Sequence, residues 1–187
     1  MDASFLSGQL LIAMPGIGDP RFERALVLIW AHDADHALGL AVNRPVGELT
    51  LGALFERLGI ASGIQAPEDL VMLGGPLEGE RGFVLHTDDY HGEHSIEAGS
   101  GLALTATREV LEAMASAHGS PRRAMLALGY AGWGANQLES EIKQNVWLTC
   151  QADEDLIFDD DHAGKWTRAL AKLGVDPERL SYVAGRA

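Results

Sequence analysis

Apolar residues in the first forty positions fall into uninterrupted runs, each cut by turn-forming residues. "GQLLIAMP" reads as a buried strand stopped by Pro15, "RALVLIWAH" as a second, and "LGLAVN" as a third ending at Asn43-Arg44-Pro45. Between them lie "GIGDPRF", with glycine for freedom and Asp-Pro for a rigid bend, and the polar turn "HDADHALG". Connections this short favour antiparallel hairpins, because a parallel pair needs a longer crossover.

A helical period takes over at "LGALFERLG". Leu51, Leu54, Phe55 and Leu58 share one face, Thr50 caps the start and Gly59 closes the end. "DLVMLGGP" and "RGFVLHT" return to strand character, and "SIEAG" with "GLALTA" predicts a hairpin around Gly99-Ser100-Gly101. A second helix follows Thr107, with Val110, Leu111, Met114 and Ala117 on one face and Gly119 at its end. "RAMLALGYAG" reads as a central strand. Asn136 opens a third helix with Glu139 three residues on, a capping-box pattern. "VWLTCQ" is a last strand, Asp161 to Leu173 is amphipathic through Trp166, Leu170 and Leu173, and "DPERLSYVAGRA" adds a turn. The sum is an α+β (mixed α/β) protein, a mostly antiparallel mixed sheet flanked by about four helices.

Length fits a single domain over residues 1–187, with no linker-like stretch to divide it. A formal charge of −13, from 14 basic and 27 acidic residues, disfavours direct DNA binding, which depends on Lys and Arg neutralising phosphates. It disfavours anionic membranes as well. Cys150 is the one cysteine, so neither an intrachain disulfide nor a cysteine zinc site is available. "MDASFLSGQLLIAMPG" lacks the basic region of a secretory signal, and no run approaches the ~20 apolar residues of a membrane span. The expectation is a cytoplasmic, reduced protein with no membrane partner.

Gly129, Gly132 and Gly134 sit between an apolar run and a helix, where glycines often cradle phosphate. The P-loop lysine and hydroxyl are missing, the order is wrong for a dinucleotide fingerprint, and Glu139 and Glu141 put negative charge where a phosphate would lie. The glycines read better as a tight turn that folds Trp133 back over the sheet, with Asn136 in the left-handed region and able to accept from helix amides. No cofactor is expected.

At this point the residues resemble a known family. "ALGYAGWGANQLESEIKQNVWL", "GQLLIAMPGIGDPRFERALVLIWAHD", "GLAVNRP" and "LGGPLEGERGFVLH" together resemble the YqgE/AlgH family of bacterial proteins, in order and over nearly the whole chain. Two positions depart from its pattern: Asn136 where glycine is usual, and Arg186 in an ending that is usually close to AGHA. The resemblance implies a mixed, branching sheet curled into a partial barrel beside helices. Members are often labelled transcriptional regulators, and no enzymatic activity is established for the family as a whole.

Polar and aromatic residues in the matched blocks are the candidate ligand- or partner-binding set: Asp19, Asn43, Arg44, Arg81, His86, Tyr130, Trp133, Gln137, Glu139 and Glu141. They suggest a groove lined by the Asn-Arg-Pro, RGFVLH and GYAGWG loops. A structural use of these residues is the stronger reading of the two, with Arg44 and Arg81 pairing to Asp19 or Glu139 and Asn43 bonding its own turn. "HTDDYHGEH" offers His86, Asp88, Asp89, His91 and His94 as metal ligands, but strand alternation splays them. "HDADH" reads as a hydrated turn, and the acids of "DEDLIFDDD" lack the calcium-loop pattern and suit helix starts. No GxSxG or SxxK appears, and Cys150 reads as a buried, inert thiol. The sequence therefore favours a non-enzymatic interaction or regulatory module for an unidentified protein or small-molecule partner, with no catalytic or metal residues assigned. The alternative is a hydrolase or metal-assisted enzyme centred on His86.

Overall fold

The three opening runs form an antiparallel meander in the computed structural model, which describes residues 5–60, 63, 67–116 and 118–180. They are β1 (Gln9–Ala13), β2 (Leu26–His32) and β3 (His36–Ala41), with β10 (Trp147–Gln151) added to the outer edge of β1. β9 (Ala124–Gly134) is the central strand that its apolar run predicts. Its last residues pair with β3, through His36↔Gly134 to Gly39↔Ala131. Its first residues pair antiparallel with β6 (Leu77–Thr87) and parallel with β5 (Leu70–Leu73). One long strand thus joins two ladders, and the sheet branches there.

Beyond β6 the sheet continues to β8 (Leu102–Thr105) and β7 (Ile96–Gly99), the hairpin expected around Ser100. Curling brings the end of β7 back to β1, where Ser100 Oγ donates to the Gly8 carbonyl at 3.1 Å. The result, among the described residues, is a partly closed barrel of ten strands with five α-helices beside it.

Each helix covers one apolar face. α1 (Leu51–Arg57) starts where Thr50 Oγ1 accepts the Ala53 amide at 3.2 Å, and it packs Leu51 and Phe55 with α2 (Arg108–Met114) over Val71, Val84 and Leu126. α3 (Gln137–Lys143) places Leu138 against Val27, Ile29 and Trp133. α4 (Glu154–Ile157) and α5 (Lys165–Lys172) close the barrel side, burying Leu156, Ile157, Trp166 and Leu170 on Leu10, Leu26 and Leu28. Fully burying one such side chain stabilises the fold by about 1.5–3 kcal/mol.

Several elements differ from the sequence reading. Pro45–Thr50 forms β4, antiparallel to β5, although its apolar alternation is weak. β6 begins at Leu77 instead of Arg81, and its first residues arch away from β9, since the register passes from Leu77↔Tyr130 to Gly82↔Leu128. The one-turn α4 makes five helices where about four are expected. Asn136 has φ 60° and accepts no helix amide; its left-handed backbone is incompatible with a capping box, whose cap residue is extended. Thr107 precedes α2 without a side-chain cap bond. Ala117 and Arg186 lie outside the described residues.

Candidate binding groove

A short turn of helix at Pro20–Phe22 builds one wall of a groove. Asp19 caps it, accepting the Arg21 amide at 3.0 Å, and the Arg21 guanidinium returns to the same carboxylate at 2.8 Å. Those bonds from Arg21 hold the Asp19 carboxyl below its ordinary pKa. Residues from the Asn-Arg-Pro segment brace this wall from behind. Asn43 accepts the Leu26 amide at 2.9 Å and donates to the Arg24 carbonyl at 2.8 Å. Arg44 donates to the carbonyls of Pro20 and Arg21 instead of pairing with an acid. The backbone bonds of this turn use the Asp19 and Phe22 carbonyls, and the forked guanidinium serves the two between them.

The opposite wall follows from Gly75. A Cβ there would overlap the Tyr130 and Ala131 backbone, so only glycine lets the turn before β6 lie flat on β9. This places Pro76 and Leu77 beside Gly132. Gly129, with φ 73°, accommodates the same approach from the β9 side.

The floor is aromatic. Trp133 and Trp147 meet edge to face with ring centroids 5.9 Å apart, and Phe22 stands 5.7 Å from Trp147. Glu141 on α3 binds both indoles: its Oε2 accepts Trp133 Nε1 at 2.9 Å and Trp147 Nε1 at 2.8 Å. Gln137 completes the clamp, donating to Glu141 Oε1 at 3.1 Å while accepting the Gly134 amide at 3.0 Å. Four candidates, Asp19, Trp133, Gln137 and Glu141, therefore line one concavity of about 420 Å³. Its lining holds no His, Ser, Cys or Lys.

The remaining candidates go elsewhere. Glu139 accepts from His32 Nε2 at 2.7 Å, and His32 Nδ1 accepts the Leu6 amide at 3.0 Å, so the imidazole carries its proton on Nε2. Burial opposes ionisation of Glu139, but its own amide and His32 outweigh that and lower its pKa. "HDADH" is a hydrated turn only over Asp33–His36, because His32 is 8% exposed. Tyr130 stacks edge-on to Phe83 at 5.7 Å beside the groove, with Glu78 raising the pKa of its hydroxyl. Arg81 lies over the Phe83 ring, 5.1 Å from its centroid, and pairs with Glu78 at 3.6 Å; it reaches neither Asp19 nor Glu139.

His86 is fully buried away from the groove. Nδ1 donates to the Thr87 carbonyl at 2.7 Å, and Nε2 accepts from Thr105 Oγ1 at 2.8 Å, which in turn meets Ser95 Oγ at 2.7 Å. Burial lowers its pKa and favours the neutral ring. Neither nitrogen is left to reach His91 or His94, which are exposed. Among the described residues no three His, Cys, Asp or Glu are grouped to hold a metal ion. The acids of "DEDLIFDDD" serve helix starts: Asp153 caps α4 and Asp161 caps the turn before α5. Cys150 is buried, and that burial raises its pKa. No helix is long and apolar enough to cross a membrane, among the described residues.

Three contributors escape the sequence reading. Phe22 and Trp147 look like ordinary apolar positions until the turn and β10 converge. Lys165 is fully buried, its Nζ donating to the carbonyls of Val42 at 2.9 Å and Ile157 at 2.6 Å. Its place four residues before the buried Ala169 is the one signal that could have put it on the inner face.

A branched, curled mixed sheet with a tryptophan-floored, carboxylate-clamped concavity at the end of its central strand defines an α+β half-barrel fold. The chain belongs to the AlgH-like family, whose profile matches residues 10–178. A UPF0301 protein from Caulobacter vibrioides is 63% identical over 187 residues, covering all of this chain and 96% of that one. A UPF0301 protein from Rhodospirillum rubrum is 47% identical over 183 residues, covering 98% and 95%. The solution structure of the AlgH protein from Pseudomonas aeruginosa superposes with TM-score 0.77 at 37% identity, covering 100% and 98%. A crystal structure of a protein from Corynebacterium diphtheriae shares the fold, with TM-score 0.71 at 17% identity over 89% and 86% of the two chains.

Proposed function

We propose that this chain is a non-catalytic interaction module that takes a segment of a partner protein into the groove between Asp19–Phe22, Pro76–Leu77 and α3. The observation that carries the reading is the clamp on Glu141. Two indoles and one amide engage both of its oxygens, which fixes the floor as a pre-organised surface, and pre-organisation is what reduces the ordering cost of association. Exposed Leu77 and half-buried Phe22 supply apolar contact at the rim. The lining offers no nucleophile paired with a base. Any regulatory influence then passes through the captured partner, in keeping with the net charge of −13, which disfavours gripping DNA.

The reading centred on His86 draws support from one contact, the hydroxyl of Thr105 on its Nε2. Against it stands an imidazole with no exposure and both nitrogens engaged.

Leu77→Asp tests the placement, because that side chain is 43% exposed and its loss leaves the core intact. Immobilised wild-type protein captures its partner from a lysate of the native bacterium, whereas Leu77→Asp fails to, with an unchanged urea midpoint. Equal capture by both rejects the groove.

A further inference from the structure

A second concavity lies away from the groove and gathers charged side chains of both signs. One compartment, of about 800 Å³, brings together Arg122, Arg123 and Arg168, three of the 14 basic residues of an acidic chain, with Asp69, Asp155 and Asp159. The adjoining one, of about 300 Å³, holds Glu68, Asp69, Asp159, Asp160 and His162. Leu51, Asp69, Ala124, Phe158 and Asp159 line both, so the compartments adjoin across a wall of apolar and acidic side chains.

At the basic end every guanidinium rests on a surface carboxylate. Arg122 bonds Glu154 at 3.0 Å, Arg123 bonds Asp155 at 2.8 Å, and Arg168 bonds Asp159 at 3.1 Å. Asp155 is 84% exposed, and exposed pairs contribute little, so such a partner is readily exchanged for a stronger one. Planar guanidinium forks bind phosphate oxygens bidentately.

At the acidic end Asp159 is paired, to Arg168, while the other carboxylates lack a counter-charge among the described residues. Glu68, Asp69 and Asp160 form no salt bridge among the described residues, and Lys165, the nearby cation, turns its Nζ inward to the Val42 and Ile157 carbonyls. Burial and the neighbouring Asp160 raise the pKa of Asp69, as expected for a carboxyl without a cation. An independent sign is His162, whose buried Nδ1 has no hydrogen-bond partner.

We infer that this cleft is a second binding site, for a small zwitterion whose phosphate takes Arg122, Arg123 and Arg168 and whose amine takes Asp69 and Asp160. The short carbon chain between those groups lies along Leu51 and Phe158. The groove plays no part in this site.

Nuclear magnetic resonance titration of the full chain at low ionic strength tests it with 3-aminopropyl phosphate, inorganic phosphate and propylamine. The whole molecule binds at least about tenfold tighter than either half, since joining the two charges makes the second contact intramolecular. Shifts fall on the amides of residues 51, 69, 122–124 and 158–168. Arg123→Gln weakens both phosphate probes about tenfold, the loss of one charge-assisted contact, and Arg123→Lys restores part of it. Asp69→Asn removes the advantage of 3-aminopropyl phosphate over phosphate. Unchanged urea midpoints show that each variant folds. Equal affinity for phosphate and 3-aminopropyl phosphate, shifts elsewhere, or full binding by Arg123→Gln overturns the site. Co-sedimentation with phosphatidylethanolamine vesicles, blocked by 3-aminopropyl phosphate, would make the ligand a lipid headgroup and overturn the free zwitterion.

Discussion

Trp133 donates its indole N–H to Glu141 at 2.9 Å, and Trp147 donates to the same oxygen at 2.8 Å. Both rings are at most 5% exposed, so neither N–H has water as a substitute partner. Leucine at 141 fills similar space yet strands both donors, each at about 1–3 kcal/mol. Glu141→Leu is therefore expected to lose about 2–5 kcal/mol in urea unfolding. Glu141→Gln keeps an acceptor oxygen and loses only charge assistance, about 1 kcal/mol. Equal losses in the two variants would show that the carboxylate, not the indole pairing, is what the fold requires.

Lys165 makes stability rise with alkaline pH. Burial lowers its pKa from 10.5 to about 8. Below about 8 the ammonium is charged in both folded and unfolded chains, and the folded state carries the desolvation cost in full. Between about 8 and 10.5 the folded chain releases this proton while the unfolded chain retains it, so stability increases with pH. The gain across that window is about 3 kcal/mol. Cys150 acts in the opposite sense, because burial raises its pKa and the unfolded thiol ionises first. The measurement is thus the difference in unfolding free energy between wild type and Lys165→Met from pH 7 to 10. It should shift in favour of wild type as pH rises; a constant difference refutes the assignment.

Backbone proximity at Gly75 gives a sharper contrast. Alanine there drives its methyl into the Tyr130 and Ala131 main chain, which has no rotamer to yield. Overpacking of this kind costs about 1–3 kcal/mol, and Gly75→Ala is expected at the upper end. Gly79, four residues on in the exposed arch of β6, has open space where a methyl would stand, with nothing within 4 Å. Gly79→Ala should be neutral, or stabilising by about 0.4–1 kcal/mol through the unfolded chain. Thermal unfolding of the pair reports both.

Much of the sheet was readable because its strands are buried on both faces and appear as unbroken apolar runs, as in "LLIA" and "LVLIW". β4 was not, since Pro45, Gly47 and Glu48 interrupt any alternation and the strand is held by its neighbour β5. The first residues of β6 are all exposed and carry no burial pattern to read. His32 was hidden by the irregular register between Ile29 and Ala31, which breaks the two-residue period just before it. As for the groove, the Asp-Pro and GYAGWG blocks marked one wall and part of the floor. Arg81 and His86 were misplaced with them because both lie on β6, and a linear motif says nothing of which side of a strand meets a turn fifty residues away. Phe22 and Trp147 needed the fold itself.

The branching of β9 has a mechanical consequence. Its first residues hold β5 and β6, and its last hold β3, so separating either ladder strips an edge from the other. Force applied where β9 meets β3 is then carried along one continuous backbone to the layer under α1 and α2. Either ladder, once opened, leaves the other with a newly exposed edge along the same strand.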